Sequence, residues 1–355
     1  MDNSLEQVLA RLRRQARELW PETPPVDFRL ARHLARPYSN VYRLQLVANP
    51  VLSHAAPPRF IYVKIFSPGK KFQANPEKYL SRLATEFTAG QRLYAALGDE
   101  QEIAVIKPLV FYPEVLAMAS EEAPGVTLAD LIERDAKLWP AAPQIEQLAQ
   151  HCRRAGHALA AMQKATAEAS RFDPGEMLEY IDVRMQRLLQ SEQTPFTKTD
   201  RQQIGKFLET AIPAIPTEQL GLCGTHGDYA PFNLLAAPEK ITVADFTMFK
   251  IGSVYNDPAY FYHRLEGYLH KPIFRTPTIR RLQEAFLQGY AGARAECVTE
   301  EALFKIFWIK HVVNNYSAIM RQRIVMNGRQ VSLPEQLFNR HVFRRYNRWL
   351  QEYCQ

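Results

Sequence analysis

Paired cysteines are missing from this 355-residue sequence: Cys152, Cys223, Cys297 and Cys354 stand far apart, with no CxxC spacing. That excludes a disulfide framework and a cysteine-based zinc site, and predicts reduced, structural thiols. No uncharged apolar run approaches the length that crosses a bilayer. Asp2 and Glu6 occupy positions where a signal peptide would carry basic and then apolar residues. A soluble, cytoplasmic protein is expected. Internal repeats and low-complexity tracts are also lacking. The net charge of +7 comes without a DNA- or RNA-binding motif, so nucleic acid is not an expected partner. What is present in quantity is apolar side chain, 46% of the residues, enough for a core in each of two lobes.

The chain is organised around Gly224 to Asp257, GTHGDYAPFNLLAAPEKITVADFTMFKIGSVYND. Leu234 to Ala236 is a short apolar run, 237–240 has turn composition, and 241–244 is rich in β-branched residues, which together predict a hairpin. If Ala236 faces Ile241 across the turn, Asn233 faces Ala244 and Asp245 is the next residue out. A carboxylate and an amide oxygen brought to one end of a hairpin suit a hard cation such as Mg²⁺, which keeps waters and nucleotide phosphates as its other ligands. Asp228 falls in the loop entering the hairpin, where it can meet an acceptor hydroxyl. The plainer alternative is that Asp228, Asn233 and Asp245 cap a turn and two strand ends and share nothing.

HGDYAPFN matches the HxDxxxxN catalytic loop, and Asp245-Phe246 after an apolar strand matches the DFG position of protein kinases. With Gly227 in place of the kinase arginine, the sequence more closely resembles the aminoglycoside phosphotransferase and choline kinase-like family. The resemblance implies Asp228 as catalytic base, Asn233 and Asp245 as Mg²⁺ ligands, and His226 as organiser of the loop. It also implies that Asp257 steadies that loop. By itself, Asp257-Pro258 reads as an N-cap and first helical residue. Only a short segment separates Asp245 from Asp257, too little chain to cradle a peptide substrate, so a protein acceptor is disfavoured.

Upstream, residues 4–19 have apolar positions at helical spacing, and strands are predicted at 28–30, 41–47 and 60–66. Ala35 to Asn40 lies where kinase-like folds cover phosphates, but it contains no glycine. Two readings stand there: Ser39, Asn40 and their amides cover phosphates, or the segment is a hairpin turn. Lys64, in Tyr-Val-Lys-Ile-Phe, resembles the strand lysine that contacts the α- and β-phosphates. Glu86, on a helix over 79–97, is its candidate ion-pair partner, with Glu77 as fallback. The following 67–71 loop is not a Walker A motif. Strands at 109–112 and 115–119 follow, the second expected to link the lobes and to offer Leu116 and Met118 to an adenine.

Helices are expected over 128–132, capped by Thr127, and over 143–169, where His151 and His157 read as surface or capping residues. Further helices are expected at 176–191, 198–211, 278–292, 299–326 and 334–353. From Arg321 onward there are seven arginines (Arg321, Arg323, Arg329, Arg340, Arg344, Arg345, Arg348) against Glu335 and Glu352, most of the net charge. They are either the solvated face of a docking helix or a surface for an anionic ligand or membrane.

The expected fold is therefore α+β and bilobal, protein-kinase-like. It comprises an N-terminal helical extension (1–25), a small β-rich N-lobe binding nucleotide (26–119), and a larger helical C-lobe (120–355). The expected activity is Mg²⁺-dependent transfer of the γ-phosphoryl group of ATP or GTP to a hydroxyl of a small molecule such as a sugar. The alternatives are a catalytically weak nucleotide-binding scaffold and, behind it, a protein kinase.

Overall fold

The computed structural model describes residues 3–22, 24–36, 39–47, 59–66, 76–98, 100–191, 194–325 and 332–354. The chain divides into two compact units, Met1–Gly125 with Leu235–Phe249, and Val126–Leu234 with Lys250–Gln355.

The first unit opens with α1 (Asn3–Leu19), a run without proline or glycine that ends before Pro21. Its stripe of Leu5, Val8, Leu9, Leu12 and Ala16 is buried against one face of a five-stranded antiparallel sheet. The strands are β1 (Asp27–Ala35), β2 (Ser39–Val47), β3 (Phe60–Phe66), β5 (Pro108–Tyr112) and β6 (Ala117–Glu121), in the order β1-β2-β3-β6-β5. Each leucine so buried contributes about 1.5–3 kcal/mol. Between β3 and β5 come α2 (Pro76–Leu97) and the short β4 (Ile103–Val105). The second of the two strands expected over 109–119 starts later than its sequence suggests. Pro113 fixes a one-turn 3-10 helix over Pro113–Val115, and Leu116 closes it in a left-handed conformation, so pairing resumes only at Ala117.

The second unit begins with β7 (Val126–Thr127) and α3 (Leu128–Asp135), where the Thr127 hydroxyl accepts the Asp130 N–H at 3.1 Å. Next come α4 (Ala142–Ala165), β8 (Glu168–Arg171), α5 (Glu176–Leu189), α6 (Lys198–Ala211) and β9 (Gly221–Thr225). The helix expected to reach residue 169 stops at Ala165. There the Thr166 hydroxyl donates back to the Met162 carbonyl at 2.7 Å and accepts the Gly224 N–H at 3.0 Å, while β8 pairs with β9. His151 is buried rather than on the surface, whereas His157 is exposed. The hairpin β10 (Leu234–Ala237) and β11 (Lys240–Val243) follows, and from Leu235 the chain belongs to the first unit, where β11 runs parallel to β4.

β12 (Lys250–Ser253) returns to pair antiparallel with β9. The remaining helices are α7 (Asn256–Glu266), α8 (Thr276–Ala291), α9 (Ala302–Val325) and α10 (Leu333–Tyr353). Helices α4 and α8 touch backbone to backbone: a Cβ at Gly156 would meet the Phe286 carbonyl oxygen at 2.1 Å, and one at Gly289 would meet that of Arg153 at 1.8 Å. On α10, Val342, Phe343, Tyr346 and Leu350 are buried while Arg340, Arg344 and Arg348 face solvent. That pattern is a docked helix with a solvated basic face; the side chains of Arg321, Arg323 and Arg329 lie outside the described residues. No helix among the described residues is long and apolar enough to cross a membrane.

Candidate active site

In the second unit, β9 delivers the chain into a tight loop, His226–Ala230, followed by a 3-10 turn over Pro231–Asn233. The loop is held from below by Asp257. Its carboxylate is fully buried and accepts the backbone N–H groups of His226 at 2.6 Å and Gly227 at 3.0 Å, with the Asn256 side-chain amide donating at 3.0 Å. Asp257 is therefore not the helix cap that Asp-Pro suggests. Helix α7 starts two residues earlier, at Asn256 with Tyr255 at the capping position, and the carboxylate is committed to the loop. Gly227 has φ +78°, a left-handed conformation that a β-carbon would strain, which accounts for a glycine next to the aspartate.

His226 is buried and its Nδ1 accepts the Asp228 N–H at 3.3 Å. Tyr229, also buried, donates its hydroxyl to the Ala155 carbonyl at 2.6 Å and ties the loop to α4. Between these anchors, Asp228 Oδ1 accepts the Tyr260 hydroxyl at 2.8 Å. Burial and the Asp228 charge both push the Tyr260 phenol up, so it stays protonated and remains a donor. Asn233 donates its Nδ2 to the Asp228 carbonyl at 2.9 Å and to Oδ2 at 3.3 Å. Since both partners are acceptors, the NH₂ end must face them, and the Asn233 carbonyl oxygen is turned to other use.

In the first unit, Lys64 stands in mid-sheet, in register with Val41 on β2 and Met118 on β6. Its Nζ lies 2.9 and 3.1 Å from the two Glu86 oxygens and 3.4 Å from Asp245 Oδ1. Burial opposes the lysine charge, but Glu86 and Asp245 outweigh it and raise the lysine pKa. Glu86 is itself pushed up to about 7 by burial, with Lys64 working against that shift. Glu77, the fallback partner, is exposed in the first turn of α2. Asp245 follows β11 at φ +66°, a conformation that aspartate tolerates better than most residues, and its Oδ1 accepts both the N–H and the hydroxyl of Thr247. Met118 packs as core with Phe66, Tyr79 and Leu83. Ser39 is buried, and the Asn40 side-chain oxygen is 2.9 Å from His33 Nε2. Pro37, Tyr38 and the 67–71 loop lie outside the described residues.

Sequence reasoning missed Tyr260, Asn256 and Thr247. Thr247 is two residues from Asp245, a spacing at which a hydroxyl can reach back to a carboxylate. The other two sit on α7, and nothing local in the sequence marks them. Among the described residues, no group of three or more His, Cys, Asp or Glu is placed to hold a metal. Asn233, in the second unit, and Asp245, in the first, each carry an oxygen of the kind that Mg²⁺ takes, phosphates and water usually supplying its other ligands.

The fold is that of the kinase-like phosphotransferases. A putative aminoglycoside phosphotransferase from Ralstonia eutropha JMP134 matches with TM-score 0.61 and 14% identity over 99% of this chain and 98% of that one. Choline kinase from Cryptosporidium parvum matches at 0.55 and 13% over 98% and 95%, and a choline/ethanolamine kinase family protein from Mesorhizobium loti at 0.53 and 15% over 98% and 95%. No curated protein matches the chain in sequence. Residues 71–297 match the phosphotransferase enzyme family (APH), and the chain belongs to that family.

Proposed function

We propose that the protein is a small-molecule kinase, moving the γ-phosphoryl group of ATP or GTP to a hydroxyl of a small acceptor. The observation that carries this reading is the Asp228 carboxylate, oriented by a protonated Tyr260 and by Asn233 in a loop pinned through its backbone to Asp257. A carboxylate so held is suited to accept or orient the proton of an attacking hydroxyl, the part a base plays in phosphoryl transfer. His226 keeps the loop in shape. Lys64, aimed by Glu86, would meet the nucleotide phosphates, and Asn233 and Asp245 are the residues that would hold Mg²⁺. The metal, when bound, neutralises charge on the phosphates. The chain's own contribution is alignment of donor and acceptor and a fixed electrostatic field. Ser39, Asn40 and Met118 belong to the nucleotide side of the same proposal.

The test is Mg²⁺-dependent nucleotide turnover across sugars, amino alcohols, antibiotics and lipid head groups, with Asp228→Ala as the blank. Turnover that survives in Asp228→Ala would remove the base from the scheme and favour a nucleotide-binding scaffold.

A further inference from the structure

Lys310, on α9, is not used by the mechanism above, yet it is joined to the catalytic loop through three successive hydrogen bonds. Its Nζ donates to the Asn256 side-chain oxygen, Asn256 in turn donates to Asp257, and Asp257 holds the backbone of His226 and Gly227. The other near neighbours of the ammonium are two aromatic faces, Phe307 at 4.8 Å and Tyr180 at 5.4 Å. The same Tyr180 ring is contacted by Arg184, whose guanidinium carbon lies 3.3 Å from the ring centroid. Arg184 is steadied by the Tyr180 carbonyl at 2.8 Å and by Asn314 on α9 at 3.2 Å. Lys250, the first residue of β12, is in register with Thr225, immediately before His226. Next to Lys310 on α9, His311 is hydrogen-bonded to the Asn256 carbonyl and packs against Tyr260, the α7 residue that orients Asp228. Lys310, Arg184, Tyr180 and Asn314 are all partly exposed.

Gathering cations around a half-buried ammonium is unfavourable unless a negative charge joins them. Burial pushes Lys310 down to about 7; Lys250 and Arg184 add to the shift, and Asp257 opposes it. We propose that the acceptor is a hydroxyl compound carrying an anionic group, a carboxylate or a phosphate ester, and that Lys310 and Arg184 bind that group while the hydroxyl faces Asp228. Amide donors and aromatic walls fit such a ligand, a sugar acid or sugar phosphate, and disfavour the polycationic and quaternary-ammonium compounds that an acidic or purely aromatic pocket would select. The inference rests on the kinase reading and narrows its substrate class.

Two measurements separate the two claims. The first is calorimetric titration of the purified protein, without nucleotide, with glycerate, glycerol 3-phosphate, galacturonate, galactose 1-phosphate and their neutral parents, glycerol and galactose. The second is Mg²⁺-nucleotide phosphorylation of the same set plus glucosamine. The expected result is binding and a kcat/KM preference of at least tenfold for the anionic members. That preference should collapse at least tenfold in Lys310→Met, through KM, and recover in part in Lys310→Arg. The carboxylate and phosphate arms tell which anion is read. A preference for neutral or amino compounds overturns the proposal. So does an equal fall in kcat on every acceptor in Lys310→Met, which would make the residue a positioning lysine for Asn256. So does absence of Lys310-dependent binding of either anion class. Lys310-dependent anion binding without phosphorylation would instead sink the kinase reading and leave the anion site standing.

Discussion

The two units hold their key carboxylates by different physics. In the first, Glu86 and Asp245 meet Lys64 directly, and the geometry is set by charge against charge in a mostly buried setting. In the second, Asp228 and Asp257 are hydrogen-bonded to uncharged donors among the described residues. They are held by backbone N–H groups, a phenol and amides. The first arrangement tolerates a change of ligand, because an ammonium with two carboxylates can redistribute as phosphates arrive. The second is directional, since each N–H donor fixes an angle as well as a distance. One unit is built to exchange counter-charges, the other to keep a single carboxylate in one place.

Replacing the directional carboxylate should have the largest effect. Asp228→Asn keeps the shape and the contact to Tyr260 but removes the base, and is expected to lower kcat by about 10²–10⁴-fold. Circular dichroism and the melting temperature should stay near those of the parent. Asp257→Ala comes next. It frees two buried N–H groups whose bonds to a charged acceptor contribute about 1.5–3 kcal/mol each, so the second unit should lose about 3 kcal/mol or more. Denaturant unfolding followed by Trp308 and Trp349 reads the second unit, while Trp20 reports on the first.

Acid should separate the units further. His263 and His270 are held down to about 3 by burial, and His311 is shifted the same way. Their folded values are depressed, so the unfolded chain binds the extra protons between about pH 3 and 6.5, and the stability they contribute is lost as pH falls through that window. Glu266, raised to about 8 by burial, acts with the opposite sign and offsets one of the three above its ordinary value of 4.5. The net expectation is that the tryptophans of the second unit report unfolding at a higher pH than Trp20 does, and that His263→Gln narrows the gap. A coincident transition would show that the buried histidines do not set acid stability.

Smaller effects probe the ion-pair side. Glu86→Gln keeps the shape but leaves Lys64 to Asp245 alone, and should raise the nucleotide KM about tenfold with a lesser change in kcat. Tyr260→Phe removes one orienting hydrogen bond from Asp228 and is expected to lower kcat by about three- to tenfold, a typical cost for one such bond. If Glu86→Gln proved more damaging to kcat than Asp228→Asn, the contrast between the units would be the wrong way round.

Much of this was legible in the sequence because the chemistry is local there. Asp228, Asn233 and Asp245 lie on one loop and one hairpin, and Lys64 stands in a strand whose apolar neighbours mark it. The helices declared themselves through periodicity and through Pro21 and the Thr127 cap, whereas the turn that Pro113 starts was not read and the strand after it was placed too early. What stayed hidden depends on distant chain. Tyr260 reaches Asp228 from α7, and Lys310 arrives on α9, where an aromatic-rich, almost uniformly apolar run conceals which face holds the lysine. Asp257 was ambiguous for a different reason: Asp-Pro is a good helix start whether or not the carboxylate is engaged elsewhere. His151 read as a surface residue because helical spacing alone does not say how wide the buried stripe of α4 is.

The bare contact between α4 and α8 has a consequence for the chemistry above it. With carbonyl oxygens so close to where the β-carbons of Gly156 and Gly289 would be, a methyl group at either position forces backbone to shift. Tyr229 hangs by its hydroxyl from Ala155, one residue from that crossing. The separation of two helix axes thus works as a depth gauge for the loop, and an alanine at Gly156 would be read out as a displaced Asp228 carboxylate some distance away rather than as a local bruise in the core.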